Sequence, residues 1–266
     1  MKQMNTKTRL DIKTVELGLV ESREKARALI LAGKLAINGL PAKKTSDMVT
    51  DQDEISIIGD AIPFVSRVGL KLQKALAMFP IDLHEKAAAD IGASTGGFTD
   101  CMLQNGAKRV FAVDVGYGQL AWKLRSDPRV VPLERKNARY VAPDWFDEPL
   151  DFASIDVSFI SIRHILPPLH ACLKDDAYVV ALIKPQFEAG RGQVGKHGVV
   201  RDQSVHHEVC SMLIQFARDA RYDVCGFTYS PITGPKGNIE FLVLLQKKAE
   251  KGGLLLPSPQ YIVDQI

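Results

Sequence analysis

The segment Asp90-Ile91-Gly92-Ala93-Ser94-Thr95-Gly96-Gly97-Phe98 leaves a strand-like run, Ala87 to Ile91, and enters a helix-like run, Phe98 to Leu103, closed by Gly106. Few folds accommodate such a turn. Its small residues let the backbone approach a ligand closely, and glycine reaches φ values closed to other residues. A second strand-like run, Arg109 to Val113, ends at Asp114, 22 residues after Gly92. Further strand candidates, Phe152 to Asp156, Tyr178 to Ile183 and Phe241 to Leu245, are separated by helical stretches. This alternation predicts an α/β fold, a doubly wound and mostly parallel Rossmann-like sheet with its ligand at the carboxyl ends of the strands.

The ligand class follows from spacing. G-x-x-x-G-G is not the dinucleotide pattern G-x-G-x-x-G, and the loop lacks the Lys and Ser/Thr of a P-loop, so NAD and ATP are disfavoured. A carboxylate at Asp114 can accept both ribose hydroxyls of an adenosine cofactor. Asp90 beside the loop would repel a pyrophosphate yet tolerate a sulfonium and an amino group. S-adenosylmethionine fits these demands, and Asp90, Gly92, Ala93, Ser94, Gly96, Gly97, Phe98 and Asp114 are its expected contacts.

At 266 residues and 46% hydrophobic, the chain has room for a large domain and a small one. Residues 1–44 hold ten Lys/Arg against four Asp/Glu, whereas 45–60 hold five acids and no base. A basic N-terminal face suits a polyanion, since phosphate contacts dominate nucleic-acid affinity. Cys101, Cys172, Cys210 and Cys225 form no C-x-x-C pair, so neither a zinc site nor a disulfide framework is expected, and a reducing cytoplasm fits. Met1 to Leu10 has no apolar core for a secretory leader, and the longest uncharged runs, 224–235 and 252–263, are too short and too broken by Pro and Gly to span a bilayer.

Within the basic segment, Leu10 to Leu19 and Arg23 to Leu31 read as helices, the second capped by Ser22 and stopped at Gly33. Lys34 to Gly39 alternates before an Asn-Gly turn, and Glu54 to Ile57 reads as the returning strand. The pattern R-L-D, S-R-E-K-A-R-A-L-I, G-K-L-A-I-N-G, D-Q-D-E-I-S-I resembles the S4 RNA-binding domain over residues 7–60. That resemblance makes Arg9, Ser22, Arg23, Lys25, Arg27 and Lys34 the expected RNA contacts. The division it implies is an S4-like domain over 1–60, a linker over 61–65, a catalytic domain over 66–250 and a tail over 251–266.

Four ionisable residues border apolar runs, where a charge needs partners. Lys71 follows Ser66-Arg67-Val68-Gly69-Leu70, Asp156 ends one strand, Lys184 ends another, and Glu240 opens the last. With the glycine loop, the segments V-S-R-x-G-x-K-L, V-D-V-G-Y-G-Q-L, D-V-S-F-I-S, L-I-K-P-Q-F-E and G-x-x-G-N-x-E resemble the hemolysin A (TlyA) family of ribosomal RNA methyltransferases, over residues 7–247. The catalytic domain of that family is of the FtsJ-like 2'-O-methyltransferase type. The resemblance implies Lys71, Asp156, Lys184 and Glu240 as the catalytic set, adds Asn137 to the cofactor contacts, and implies cytidine 2'-hydroxyls of ribosomal RNA, free or in subunits, as targets. It leaves the subunit and the oligomeric state open.

A ribose 2'-hydroxyl is a weak nucleophile until its proton is removed or its lone pair is directed. Two ammonium groups brought together and partly desolvated release a proton more readily, which nominates Lys184 as base, with Asp156 and Glu240 holding the lysines and Lys71 steering the substrate. The competing expectations are separate surface ion pairs, a non-catalytic RNA-binding scaffold, a base methyltransferase and a membrane-active hemolysin. Trp122 and Trp145 are expected to pack, His206 and His207 to lie on the surface, and the basic loop Gly190 to Gly198 to cover ligand or to be a plain connection.

Overall fold

The computed structural model describes residues 7–38, 40–42, 44–58 and 63–248. Residues 1–6, Gly39 of the expected hairpin turn, positions 59–62 of the linker region and the tail from 249 onward, including the run 252–263, lie outside the described residues. The chain divides into two compact units that part between Pro63 and Phe64.

The first unit begins with β1 (Thr8–Arg9) and α1 (Leu10–Glu16), followed by α2 (Arg23–Leu31), β2 (Leu35–Ile37), β3 (Leu40–Pro41), β4 (Met48–Val49) and β5 (Ile55–Ile57). Helix α1 stops short of the expected Leu19 because Gly18 turns the chain at φ +69°. The Lys25 backbone N–H donates to Ser22 Oγ at 3.2 Å, so Ser22 caps α2. Strand β2 pairs antiparallel with both β3 and β5, and Leu10, Ile30, Leu35, Val49 and Ile55 form the core.

Three of the expected RNA contacts share an internal partner. Arg9, Arg23 and Arg27 all donate to the fully buried Asp11 carboxylate, at 3.0, 3.0 and 3.1 Å, while staying roughly half exposed. The Arg9 hydrogen bond above all, with those of Arg23 and Arg27, holds the Asp11 carboxyl far below the usual carboxylate range. A depressed carboxylate stabilises the fold at every pH above its unfolded value, and that contribution is lost as pH falls through the folded value, in strong acid. Asp11→Ala is expected to cost this unit about 1–3 kcal/mol in thermal unfolding. Although the change raises the net charge, RNA binding in a filter assay should weaken, because the arginines lose their common fixing point; tighter binding would contradict this account.

The second unit opens with α3 (Gly69–Met78), β6 (Ala87–Ile91), α4 (Gly97–Gln104), β7 (Arg109–Asp114), α5 (Trp122–Arg125) and β8 (Val130–Glu134). It continues through β9 (Leu150–Ile155), α6 (Leu166–His170), β10 (Leu173–Ile183), α7 (Pro185–Glu188), α8 (Gln203–Asp219), β11 (Tyr222–Tyr229) and β12 (Phe241–Lys247). One seven-stranded sheet runs in the order β11-β12-β10-β9-β6-β7-β8. Strands β8 through β10 are parallel, and β12 and β11 are antiparallel to their neighbours.

Alternation along the strands supplies both faces. Ala89, Ile91, Phe111, Val113, Ala153, Ile155, Val179, Ala181, Phe241 and Val243 pack into one core with α6 and α8. Ala88, Val110, Ala112, Phe152, Val180, Leu182, Leu242 and Leu244 pack into another with α3 and α4. The sheet is therefore the middle of three layers, as expected from its apolar strands. From β6 the chain winds outward to β7 and β8, then returns to β9 on the other side and winds to β10, so the crossovers part between β6 and β9. A ligand crevice belongs at the carboxyl ends of those two strands.

Candidate active site

At that crevice the backbones of β6 and β9 come unusually close. Gly92 has φ +90°, and a Cβ there would lie 2.4 Å from the carbonyl oxygen of Asp156. Only glycine permits both the conformation and the approach. The turn is tied to β7 by Gly92 N–H and Ala93 N–H, which both donate to the Val113 carbonyl, and by Ser94 N–H, which donates to Asp114 Oδ2 at 2.7 Å. Gly116 N–H donates to Asp114 Oδ1, also at 2.7 Å. Both carboxylate oxygens are thus oriented by backbone donors while each keeps a lone pair for a further donor.

Helix α3 is brought onto the loop by another glycine pair. A Cβ on Gly97 would lie 2.5 Å from Ser66 Oγ, and one on Gly69 would lie 2.8 Å from the Gly97 carbonyl. This close approach carries Lys71, two residues after Gly69, into the crevice.

Three adjoining cavities result. One of about 260 Å3 is walled by Asp90, Gly92, Ala93, Ser94, Gly97 and Phe98 together with Lys71, Asp156, Lys184 and Glu240. A second, of about 350 Å3, shares Gly92, Ser94, Asp156 and Ser158 and adds Asp114, Gln119, Lys136 and Asn137. A third, of about 450 Å3, shares Ser158, Lys184, Pro235 and Glu240 with the first and is walled by Phe159, Gln186, Phe187 and Lys236. Every expected cofactor residue but Gly96 borders the first two. Gly96 faces away, against Leu120 and Leu124, where a Cβ would meet both side chains.

The four expected catalytic residues converge into one buried chain of charges. Lys71 Nζ donates to Glu240 Oε2 at 2.5 Å and lies 3.7 Å from Asp156 Oδ2. Lys184 Nζ lies 2.5 Å from Asp156 Oδ1 and donates to Ser158 Oγ at 3.1 Å. All four side chains are at most 10% exposed. Separate surface pairs are therefore ruled out, and so is a bare lysine pair. Asp156 stands between the two ammonium groups, one oxygen toward each, and cancels the repulsion on which the sequence argument for Lys184 relied.

Asp90 also departs from expectation. It is buried beneath the loop, accepting from Thr99 N–H at 2.9 Å, Thr99 Oγ1 at 2.7 Å and Ser154 Oγ at 3.3 Å. Burial, with the Asp156 charge as a smaller contribution, pushes its carboxyl up to about 7. With its carboxyl raised that far by burial, Asp90 repels a phosphate less than its formal charge suggests. Its hydrogen bonds make it a fastener of the α4 N-terminus.

The exposure of several aromatic and histidine side chains carried no signal in the sequence. Phe159, at φ +63° and 90% exposed, stands with its ring centroid 5.0 Å from that of Phe187 at the mouth of the third cavity. A large exposed ring in a left-handed conformation is costly and points to a ligand-facing use. Trp122 is 78% exposed rather than packed, whereas Trp145 packs against the core beneath Lys136. His206, expected at the surface, is buried beside Phe241 and hydrogen-bonds the Val200 carbonyl at 3.2 Å. The loop 190–198 forms two short 3-10 turns, Arg191–Gln193 and Lys196–Gly198, and Asn238 Nδ2 donates to the Gly198 carbonyl.

These walls fit an adenosine-bearing sulfonium. Asp114 and Asn137 offer acceptors at one end, the loop backbone lies between, and carboxylates accompany every lysine of the charge chain. Residues 64–247 match the FtsJ-like methyltransferase family and residues 8–55 match the S4 domain. The chain is 43% identical to the Mycobacterium tuberculosis 16S/23S rRNA (cytidine-2'-O)-methyltransferase TlyA, over 93% of each protein. It is 51% identical to YqxC of Bacillus subtilis, provisionally named an rRNA methyltransferase, over 92% of this chain and 87% of that one. A solved structure from Streptococcus thermophilus, provisionally described as a hemolysin, is similar with a TM-score of 0.78 at 47% identity, covering 98% of this chain and 96% of that one. The chain belongs to the hemolysin A (TlyA) family, in which an S4 domain precedes an FtsJ-like, S-adenosylmethionine-dependent methyltransferase domain.

Proposed function

We propose that this protein methylates ribose 2'-hydroxyls of cytidines in ribosomal RNA, within the cytoplasm, on the free RNA or on ribosomal subunits. The observation that carries the reading is the buried chain Glu240, Lys71, Asp156, Lys184, placed where the cofactor cavity meets the aromatic third cavity. S-adenosylmethionine, when bound, supplies an electrophilic methyl group.

Asp114 and Asn137 would hold its ribose, and Gly92 to Gly97 would line its amino-acid portion. The target nucleotide would enter the third cavity, its base against Phe159 and Phe187, since aromatic rings stack on every base. Its 2'-hydroxyl would then meet Lys184. Lys184 would take the hydroxyl proton as the methyl group passes to the oxygen, with Asp156 beside it to balance the charge that develops; Glu240 fixes Lys71, which keeps Asp156 oriented. Burial strengthens each contact, and fixed positions spare the reorganisation a solvated base would need.

Specificity for RNA would come from the S4-like domain, before residue 60, through the arginines gathered on Asp11. The proposed catalytic domain starts at residue 66, with Phe64 and Val65 joined to it: Val65 N–H donates to Asp100 at 2.8 Å. No helix among the described residues is long and apolar enough to cross a membrane.

The test is transfer of tritiated methyl groups to purified 30S and 50S subunits, with the modified nucleotide mapped. Label at a discrete cytidine is expected. Binding of both subunits without label would favour the non-catalytic scaffold.

A further inference from the structure

Glu188 takes no part in the chemistry above and borders none of the three cavities, yet it is a carboxylate buried to 7% exposure. Burying such a group is unfavourable unless its hydrogen bonds are met. Here they are met by a different segment of chain. Ser161 Oγ donates to Glu188 Oε2 at 2.6 Å, and Ile162 N–H donates to Oε1 at 2.8 Å. Arg163 Nε lies 3.8 Å from Oε2 and donates to Ser161 Oγ at 3.0 Å.

The two segments so joined are the two that meet at the methyl-accepting site. Residues 156–162 carry Asp156, Ser158 and Phe159, and residues 184–188 carry Lys184 and Phe187. At the site itself the two segments meet through side chains: Lys184 to Asp156, Lys184 to Ser158, Phe159 to Phe187. Contacts of this kind keep one geometry only while the backbones that carry them stay in place. Glu188 ties helix α7, which starts immediately after Lys184, to the far end of the loop bearing Asp156.

We infer that Glu188 is a positioning residue for the transfer reaction, fixing the Asp156–Ile162 loop against the Lys184 turn so that the proton acceptor and the base platform keep one geometry. The inference rests on the proposed 2'-O-methylation, because only that reading requires both segments at one substrate atom. A misplacement of about 1 Å can cost on the order of 100-fold in rate, so a tie outside the cavity has kinetic weight.

The test compares Glu188→Ala and Glu188→Gln with the native protein by backbone hydrogen exchange, calorimetric titration of S-adenosylmethionine, and single-turnover methylation of ribosomal subunits. In Glu188→Ala, exchange across 156–163 is expected to rise about tenfold or more while 90–98 stays protected, for a local opening. Its rate of transfer should fall about 10- to 100-fold with cofactor affinity unchanged. Glu188→Gln keeps an acceptor for Ile162 N–H and should recover part of both, and it decides the matter should the alanine variant not fold. Unchanged exchange across 156–163, or a native rate of transfer, would overturn the inference, as would an exchange increase spread equally over 90–98. If the native protein methylates no RNA, the proposed reaction is wrong, and the exchange comparison still decides whether Glu188 fixes the loop.

Discussion

Replacing Lys184 with alanine should reduce methyl transfer by about 100- to 10,000-fold, the range typical for a general base, while S-adenosylmethionine binds as in the native protein. The physical reason lies in its place. Lys184 sits where the cofactor cavity and the aromatic cavity meet, held by Asp156 at 2.5 Å and Ser158 at 3.1 Å. Removal leaves Asp156 facing Lys71 alone and takes away the nitrogen proposed to meet the incoming hydroxyl. The ribose contacts proposed for Asp114 and Asn137, which wall the neighbouring cavity, are untouched. Single-turnover kinetics with calorimetry separate the two effects. Native turnover in Lys184→Ala would remove the lysine from the mechanism, and a parallel loss of cofactor affinity would make it a binding residue instead.

Asp114→Ala should produce the opposite pattern. Its carboxylate receives Ser94 N–H and Gly116 N–H, so it organises the loop as well as offering acceptors to a ribose. A hydrogen bond to a charged group contributes about 1.5–3 kcal/mol, so losing even one should weaken cofactor binding about 10- to 100-fold. Transfer at saturating cofactor should survive within about tenfold, because the buried charge chain lies outside the change. An unaltered dissociation constant would move the ribose site elsewhere.

Much of the catalytic unit was legible in its amino acids, for identifiable reasons. Strands β6, β7, β9 and β12 are short apolar runs with turn residues at their ends, and the loop 92–97 uses glycines that no other residue can replace. The expected strand Tyr178 to Ile183 is the buried half of β10, whose first half, from Leu173, carries Lys174, Asp175 and Asp176 and reads as a loop. Strands β8 and β11 were missed. The former is a half-buried edge strand interrupted by Pro132, and the latter carries a register shift between Val224 and Gly226.

The site was legible as a set of residues and not as a set of contacts. Lys71, Asp156, Lys184 and Glu240 stand at the ends of their elements, where charge beside apolar sequence is conspicuous. That Asp156 would separate the lysines depends on side-chain directions set by three strands and a helix, which periodicity does not encode. Phe159 was legible as part of the D-V-S-F-I-S segment but its exposure was not, since an exposed aromatic looks the same in sequence as a packed one. Trp122 and His206 went wrong for the same reason, in opposite directions. Arg9, Arg23 and Arg27 were singled out for RNA, but their common partner is three-dimensional: Asp11 lies beside Arg9 in the chain and reaches Arg23 and Arg27 only through the packing of α1 on α2.

The most direct measurement of the central claim is alkaline hydrolysis of ribosomal RNA labelled by the protein with tritiated methyl groups. A 2'-O-methyl group blocks attack of that oxygen on the adjacent phosphate, so label on ribose must emerge in alkali-resistant dinucleotides and, after enzymatic digestion, as 2'-O-methylcytidine. Label released as mononucleotides, with the methyl group on a base, would contradict the assignment of the Lys184 site to ribose chemistry.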